Sequence, residues 1–299
     1  MNPIWFSEIY TDGLDPTIRF PRERYRMLHK MLCAYHEKKL CFLEPEPIQI
    51  DFLYRAHQRD YVDRFLNNQL TNSEKRRIGL RPWTEDIRDR TLRITNGTLL
   101  ATKYVIEHNH FAANLSGGTH HAHYDYGSGY CIFNDIAVGV RYIQDSFSSI
   151  SILILDLDVH QGDGTATIFS NDKTVFTFSM HCKSNFPLHH QQSDWDIALP
   201  AGCTDDEYLP YLKSALIQLK KRKFDFLFFQ AGVDGLYSDR LGKLSLSRKG
   251  LQQRNELVYE FAVSQSIPTV ITMGGGYADP LTDSIEAHFD VYSLFMLRE

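Results

Sequence analysis

The run Ser151-Ile-Leu-Ile-Leu-Asp-Leu-Asp-Val-His-Gln-Gly-Asp-Gly-Thr165 decides how this chain is read. Ile152 to Leu155 is a continuous apolar run rich in β-branched residues, the pattern of a strand covered on both faces. Asp156, Asp158 and His160 follow at alternate positions. In an extended chain residues i, i+2 and i+4 point the same way, so two carboxylates and an imidazole converge at the strand end. Gly162 and Gly164 flank Asp163 and let the backbone turn sharply. Two acids brought together in a mostly buried place are costly unless a cation neutralises them. That cost argues for a metal, and the oxygen and nitrogen donors suit Zn²⁺, Mn²⁺ or Fe²⁺.

A catalytic zinc commonly takes three protein ligands and keeps a position for water. Asp158 and His160 supply two, and the third candidate lies far along the chain. Phe224-Asp-Phe-Leu-Phe-Phe-Gln-Ala-Gly-Val-Asp234 is a second buried strand run, ending in a small-residue turn that carries Asp234. Open α/β sheets bind ligands beyond the carboxyl ends of their strands, where two such ends can meet. Gly117-Gly-Thr-His-His-Ala122 follows the apolar segment Phe111 to Leu115 and presents His120 and His121 side by side. One imidazole of such a pair can take a proton from water while the other holds positive charge near a developing oxyanion. Asp156 and Asp163 are the natural carboxylate partners for their far nitrogens. Pro268-Thr-Val-Ile-Thr-Met-Gly-Gly-Gly-Tyr277 is a further strand, followed by three glycines that permit close approach and a tyrosine able to donate to a carbonyl.

The rest of the chain sets bounds. Its 299 residues, 43% hydrophobic and 23% charged, are enough for a sizeable core, and a formal charge of −5 gives no bulk electrostatic case for nucleic acid. The basic runs Lys75-Arg-Arg77 and Lys220-Lys-Arg-Lys223 read as solvated faces or helix ends. Five cysteines without regular spacing argue against a disulfide framework and for a reducing compartment. With no signal peptide and no membrane-spanning run, a soluble cytoplasmic protein is expected.

In chain order, Ile4 to Ile9 is strand-like, and helices are expected over Arg22–Leu40 and Asp51–Leu66, with His57 packed or capping. Thr71 to Arg81 is polar and charged and is expected to be a flexible loop, and Trp83 is a candidate core anchor. Further helices are expected over Asp86–His108, Cys131–Gln144 and Leu251–Gln265, and a strand over Thr174–Met180. Thr204-Asp-Asp-Glu207 is a capping box, but Pro210 inside the following pattern predicts a kink or a later start. Strands alternating with helices, and no visible linker, predict one α/β domain over 1–299 with a parallel sheet covered on both faces.

Taken together, Gly-Gly-Thr-His-His-Ala, Gly129-Tyr-Cys-Ile-Phe-Asn-Asp135, Asp-Leu-Asp-Val-His-Gln-Gly-Asp-Gly-Thr, Ala-Gly-Val-Asp and Gly-Gly-Gly-Tyr, in this order, resemble the zinc-dependent histone deacetylase family. The likeness runs from about Phe20 to the C-terminus. Gly235 to Ser247, with Thr204 to Leu209, looks most like the class IV branch and its compact bacterial relatives. The resemblance implies the three-layer α/β/α arginase/deacetylase fold, with a mainly parallel sheet of about eight strands. It also implies one Zn²⁺ held by Asp158, His160 and Asp234. His121, paired with Asp163, would be general base and then acid; His120, paired with Asp156, would assist electrostatically, and Tyr277 would polarise the amide carbonyl. Gly129, Tyr130, Phe186 and Gly275 would line the substrate channel, with Tyr130 standing where the family usually has Phe; the Thr71–Arg81 loop would border its mouth, with Trp83 shaping it as the alternative to a core role. A structural K⁺ is implied at Asp156, Asp158 and His160 with Ser179 and the Met180 carbonyl. The implied activity is removal of acetyl or longer fatty acyl groups from Nε-acyl-lysine in proteins or peptides. An acylpolyamine or other small amide is the alternative substrate, and a catalytically silent acyl-lysine-binding module the alternative role. Oligomeric state is not legible.

Overall fold

The computed structural model describes residues 2–36 and 39–298. Eight strands, β1 (Pro3–Trp5), β2 (Cys41–Leu43), β3 (Phe111–Asn114), β4 (Ile152–Asp156), β5 (Val175–Cys182), β6 (Trp195–Leu199), β7 (Phe226–Gln230) and β8 (Thr269–Thr272), form one sheet. Its order is β2-β1-β3-β8-β7-β4-β5-β6, and every neighbouring pair is parallel. β3, β4, β7 and β8 are buried along their whole length, as their unbroken apolar runs require. Helices Ile50–Ala56, Asp86–His108 and Asp135–Ser146 pack together, and helices Arg24–His36, Asp205–Leu219, Arg248–Ser264 and Leu281–Leu297 form a second packed series. The two series flank the sheet and give the three-layer α/β/α architecture. No helix among the described residues is long and apolar enough to cross a membrane.

The consequence for function lies in the strand order. β7 and β8, late in sequence, insert between β3 and β4, so the carboxyl ends of β3, β8, β7 and β4 stand side by side. Those four ends carry the His pair, the Gly-Gly-Gly-Tyr turn, Asp234 and the Asp156–His160 run.

Several local expectations change. The strand predicted to Ile9 stops at Trp5, and a short helix, Ile9–Asp12, takes over. The helix predicted over Arg22–Leu40 spans Arg24–His36; residues 37 and 38 of that prediction lie outside the described residues. Asp51–Leu66 is two helices, Ile50–Ala56 and Arg59–Leu66, because His57 adopts extended backbone and turns its ring into the core. Thr71–Arg81 is not a loop throughout: Thr71 and Glu74 form a capping box that starts the helix Asn72–Ile78, and Gly79 ends it at φ 85°. Trp83 packs edge-on against Phe65 at 6.3 Å, away from the pocket lining. The helix carrying Pro210 starts at Asp205, directly after its Thr204/Glu207 box, so the expected late start does not occur.

Candidate active site

The corner at the end of β4 and β7 is built by glycines as much as by ligands. A Cβ on Gly232 would sit 2.2 Å from Asp158 Oδ2, and one on Gly275 would sit 1.9 Å from Asp234 Oδ2. Only glycine lets these backbones close on the carboxylates. The Gly275 N–H then donates to Asp158 Oδ2 at 2.8 Å, and the Val159 N–H donates to Asp234 Oδ1 at 2.9 Å. His160 Nδ1 lies 3.1 Å from Asp158 Oδ1 and 3.0 Å from Asp234 Oδ2. One donor atom from each of Asp158, His160 and Asp234 falls within 4.8 Å of the others.

This corner fits a divalent cation. Both carboxylates are essentially unexposed. Burial and the neighbouring Asp158 charge push the Asp234 carboxyl up to about 7. Burial alone would depress His160, yet hydrogen bonds and charge from Asp158 and Asp234 raise it to about 10. The site therefore recruits positive charge, and two oxygens with one imidazole nitrogen suit Zn²⁺ or a similar d-block ion.

The loop after β3 brings the two histidines beside it. Asp135 accepts from the Gly118 and Thr119 N–H groups at 3.0 and 2.7 Å, and Gln230 Nε2 donates to the Gly118 carbonyl at 2.7 Å, which anchors the loop to β7. His120 Nδ1 meets Asp156 Oδ2 at 2.7 Å, and His121 Nδ1 meets Asp163 Oδ1 at 2.6 Å. The two rings lie 4.1 Å apart, and His121 is 5.8 Å from His160. Burial opposes charge on His120, but Asp156 and Asp158 hold it up at about 9; burial and the His120 charge drive His121 down to about 4. Tyr277 faces the same cavity, its ring 6.1 Å from Tyr130. Burial pushes its hydroxyl well above the usual range, which keeps it a donor at neutral pH.

Phe186 stands edge-on to His121 at 4.8 Å and is 41% exposed, so it forms a wall at the mouth. Gly129 fits between them, since a Cβ there would meet His121 at 2.6 Å and Phe186 at 3.1 Å. Arg77, Ile78 and Gly79 join the lining, because the Ile78 carbonyl accepts from the Tyr130 N–H at 2.7 Å. Gly275 lines the cavity as well as supporting Asp158. Ser179 lies opposite Asp156 in the β4/β5 register, and its hydroxyl meets His181 Nδ1 at 2.9 Å.

Five side chains at the site carry no assigned role in the sequence reading. His123 reaches Asp163 Oδ2 at 3.2 Å, so Asp163 serves two imidazoles; the run His-His-Ala-His carried that signal. Asn185 accepts from the Lys243 N–H at 3.0 Å, donates to the Leu241 carbonyl at 2.7 Å, and lies 3.2 Å from His160 Nε2. It thereby ties the outer edge of His160 to the loop after β7. Arg254 is 1% exposed and donates to the carbonyls of Gly232, Leu157 and Ala231, behind both ligand-bearing turns. Arg24 and Arg90 enter the cavity lining, although charged residues in helical patterns read as solvent-facing.

The histone deacetylase domain is matched over residues 19–292. The chain belongs to the histone deacetylase family. An uncharacterized protein of Picosynechococcus sp. is 42% identical over 96% of this chain and 95% of its own length. Histone deacetylase 2 of Arabidopsis thaliana is 35% identical over 64% of this chain, and the acetoin utilization protein AcuC of Bacillus subtilis is 32% identical over 62%. The matched region is 51% of the length of each of those two relatives. Histone deacetylase membership makes the chain a deacetylase-type hydrolase.

Proposed function

We propose that residues 1–299 form a single zinc-dependent catalytic domain, near the class IV branch and cytoplasmic, that removes acyl groups from Nε-acyl-lysine in peptides or proteins. The observation that carries this reading is the meeting, in one cavity, of the Asp158–His160–Asp234 corner with two Asp-paired histidines and Tyr277. Asp158, His160 and Asp234 would hold the ion. When bound, zinc supplies Lewis-acid polarisation and an acidified water, whose pKa falls from 15.7 to about 7.

The remaining work belongs to this chain's side chains. His121, held neutral, takes the proton from the attacking water and delivers it to the leaving lysine nitrogen. Asp163 fixes its orientation through Nδ1, leaving Nε2 as the working atom. His120 stays cationic and offsets negative charge gathering on the acyl oxygen. The Tyr277 hydroxyl donates to that oxygen. Tyr130 and Phe186 flank the alkyl stem of the lysine and keep bulk water from the amide. A monovalent-cation site at Asp156, Asp158, His160, Ser179 and the Met180 carbonyl is part of this proposal, checked by whether K⁺ in place of Na⁺ raises the melting temperature.

Tyr277→Phe tests the assignment. It should retain fold and zinc stoichiometry while kcat on an acetyl-lysine peptide falls by roughly 10² to 10³. Near-normal turnover would remove Tyr277 from the mechanism. Parallel assays on acetyl-lysine peptide, myristoyl-lysine peptide and acetylspermidine decide among protein, fatty-acyl and polyamine substrates.

A further inference from the structure

The cavity that holds the catalytic corner is lined as well by Arg24, Tyr25, Arg90 and Ile94. Arg24 and Arg90 are 5% and 6% exposed. Their guanidiniums share one phenol: Arg24 Nη2 donates to Tyr25 Oη at 3.2 Å, and Arg90 Nη2 donates to it at 3.0 Å. Their other partners are neutral carbonyls, of Gly276 for Arg24 at 3.4 Å and of Tyr10 for Arg90 at 2.9 Å. Arg24 Nε has no partner at all. Among the described residues neither guanidinium has a carboxylate within ion-pair distance.

Two buried cations without a paired anion are out of balance, and an anion entering beside them gains charge-assisted hydrogen bonds. An alkyl chain end gains nothing from them and strips what hydration they have. Their place along the cavity matters equally. Arg24 lies 5.4 Å from the Tyr277 ring and 4.8 Å from the Phe20 ring, so the cationic end is a short span from the hydroxyl that meets the acyl oxygen. Tyr25 supports the same polarity. Burial would raise its phenol, yet the two arginines hold it below its ordinary value.

We propose that this enzyme accepts acyl-lysines whose short acyl group ends in a carboxylate, of the succinyl or glutaryl type, with Arg24 and Arg90 binding that terminal carboxylate. The inference rests on the deacylase reading given above. The reaction balances with water alone: the water oxygen bonds to the acyl carbon, the amide C–N bond breaks, the lysine nitrogen takes the proton, and a free dicarboxylate leaves.

The test uses the zinc-loaded full chain and one peptide carrying acetyl-, glutaryl- or hexanoyl-lysine. Wild type should show kcat/KM for glutaryl at least tenfold above hexanoyl, and Arg90→Leu should lower the glutaryl-to-acetyl ratio at least tenfold. Equal losses on both substrates would mean that the arginines serve only the released acid or the fold, and would overturn the proposal. So would a wild type that prefers hexanoyl. A measurement on wild type alone covers a misfolded variant: free glutarate should inhibit acetyl-lysine hydrolysis at least tenfold more strongly than hexanoate, and the reverse order sinks the idea. Hydrolysis of acetyl but not glutaryl peptide removes this inference and leaves the deacylase reading standing; hydrolysis of none removes both.

Discussion

His120 and His121 are consecutive, equally buried, and each set on a carboxylate, at 2.7 and 2.6 Å, yet their charges differ. His120 is held up at about 9 and His121 is driven down to about 4. The nearest partner cannot explain this, because it is the same in both. His120 has a second acid, Asp158, 3.8 Å from its Nε2. His121 instead faces the charge on His120, and its own Asp163 is shared with His123. In a low-dielectric interior the next neighbour decides the protonation state, and one loop thereby presents a fixed cation beside a free base.

The most damaging way to break the contrast is to remove the base. His121→Ala should lower kcat by about 10² to 10⁴ with zinc retained; loss within tenfold, measured against an acetyl-lysine peptide, would give the proton transfer to another group.

A third imidazole sharpens the comparison, because His57 is neutralised by burial without any acid. Its Nδ1–H donates to the His123 carbonyl at 3.0 Å, and its Nε2 accepts the Asn134 N–H at 2.9 Å. Protonation would set one N–H against another. Burial accordingly lowers its pKa from 6.5 to about 4. The unfolded chain binds the extra proton first, so this contribution is complete above about pH 6.5 and is lost as pH falls toward 4. Its size is up to about 3 kcal/mol. Denaturant midpoints at pH 7.5 and 4.5 should converge in His57→Leu relative to wild type; an unchanged pH slope would contradict this account.

Arg254→Met probes the charge behind the acids. It leaves the Gly232, Leu157 and Ala231 carbonyls unpaired and should weaken zinc retention by roughly 10 to 100-fold. Competition with a chelator reads this directly, and unchanged affinity would limit Arg254 to packing.

The smallest expected effect comes from His123→Phe, which returns Asp163 to His121 alone. His121 should become more basic, with kcat altered by less than about tenfold. An unmoved acid limb in the pH–rate profile would show that sharing Asp163 has no electrostatic role.

Much of this molecule was readable as text. The helix predicted over Asp86–His108 has those bounds, and the runs before Asp156 and before Gln230 are strands β4 and β7. Errors fell where a side chain's destination outweighed its type. Thr71 to Ile78 has the charge density of a loop, yet Thr71 and Glu74 already spell the capping box that starts a helix. Asp51–Leu66 read as one helix because nothing in His57 announces that its ring bonds residues more than sixty positions away. Nothing local marks Arg24, Arg90 and Arg254 as buried, since burial of a cation depends on surroundings that local periodicity does not contain.

The sequence by itself determined which atoms are on offer: alternate acids and a histidine closing one strand, a histidine pair, an acid after a second strand, glycines wherever the chain must press close. It could not determine that β8 and β7 come to lie between β3 and β4, because a parallel crossover can return to either edge. That order makes the four strand ends neighbours. Nor could it set the charges, because desolvation and the nearby field come from side chains scattered from Arg24 to Tyr277, and only the folded chain brings them within a few ångströms of one another.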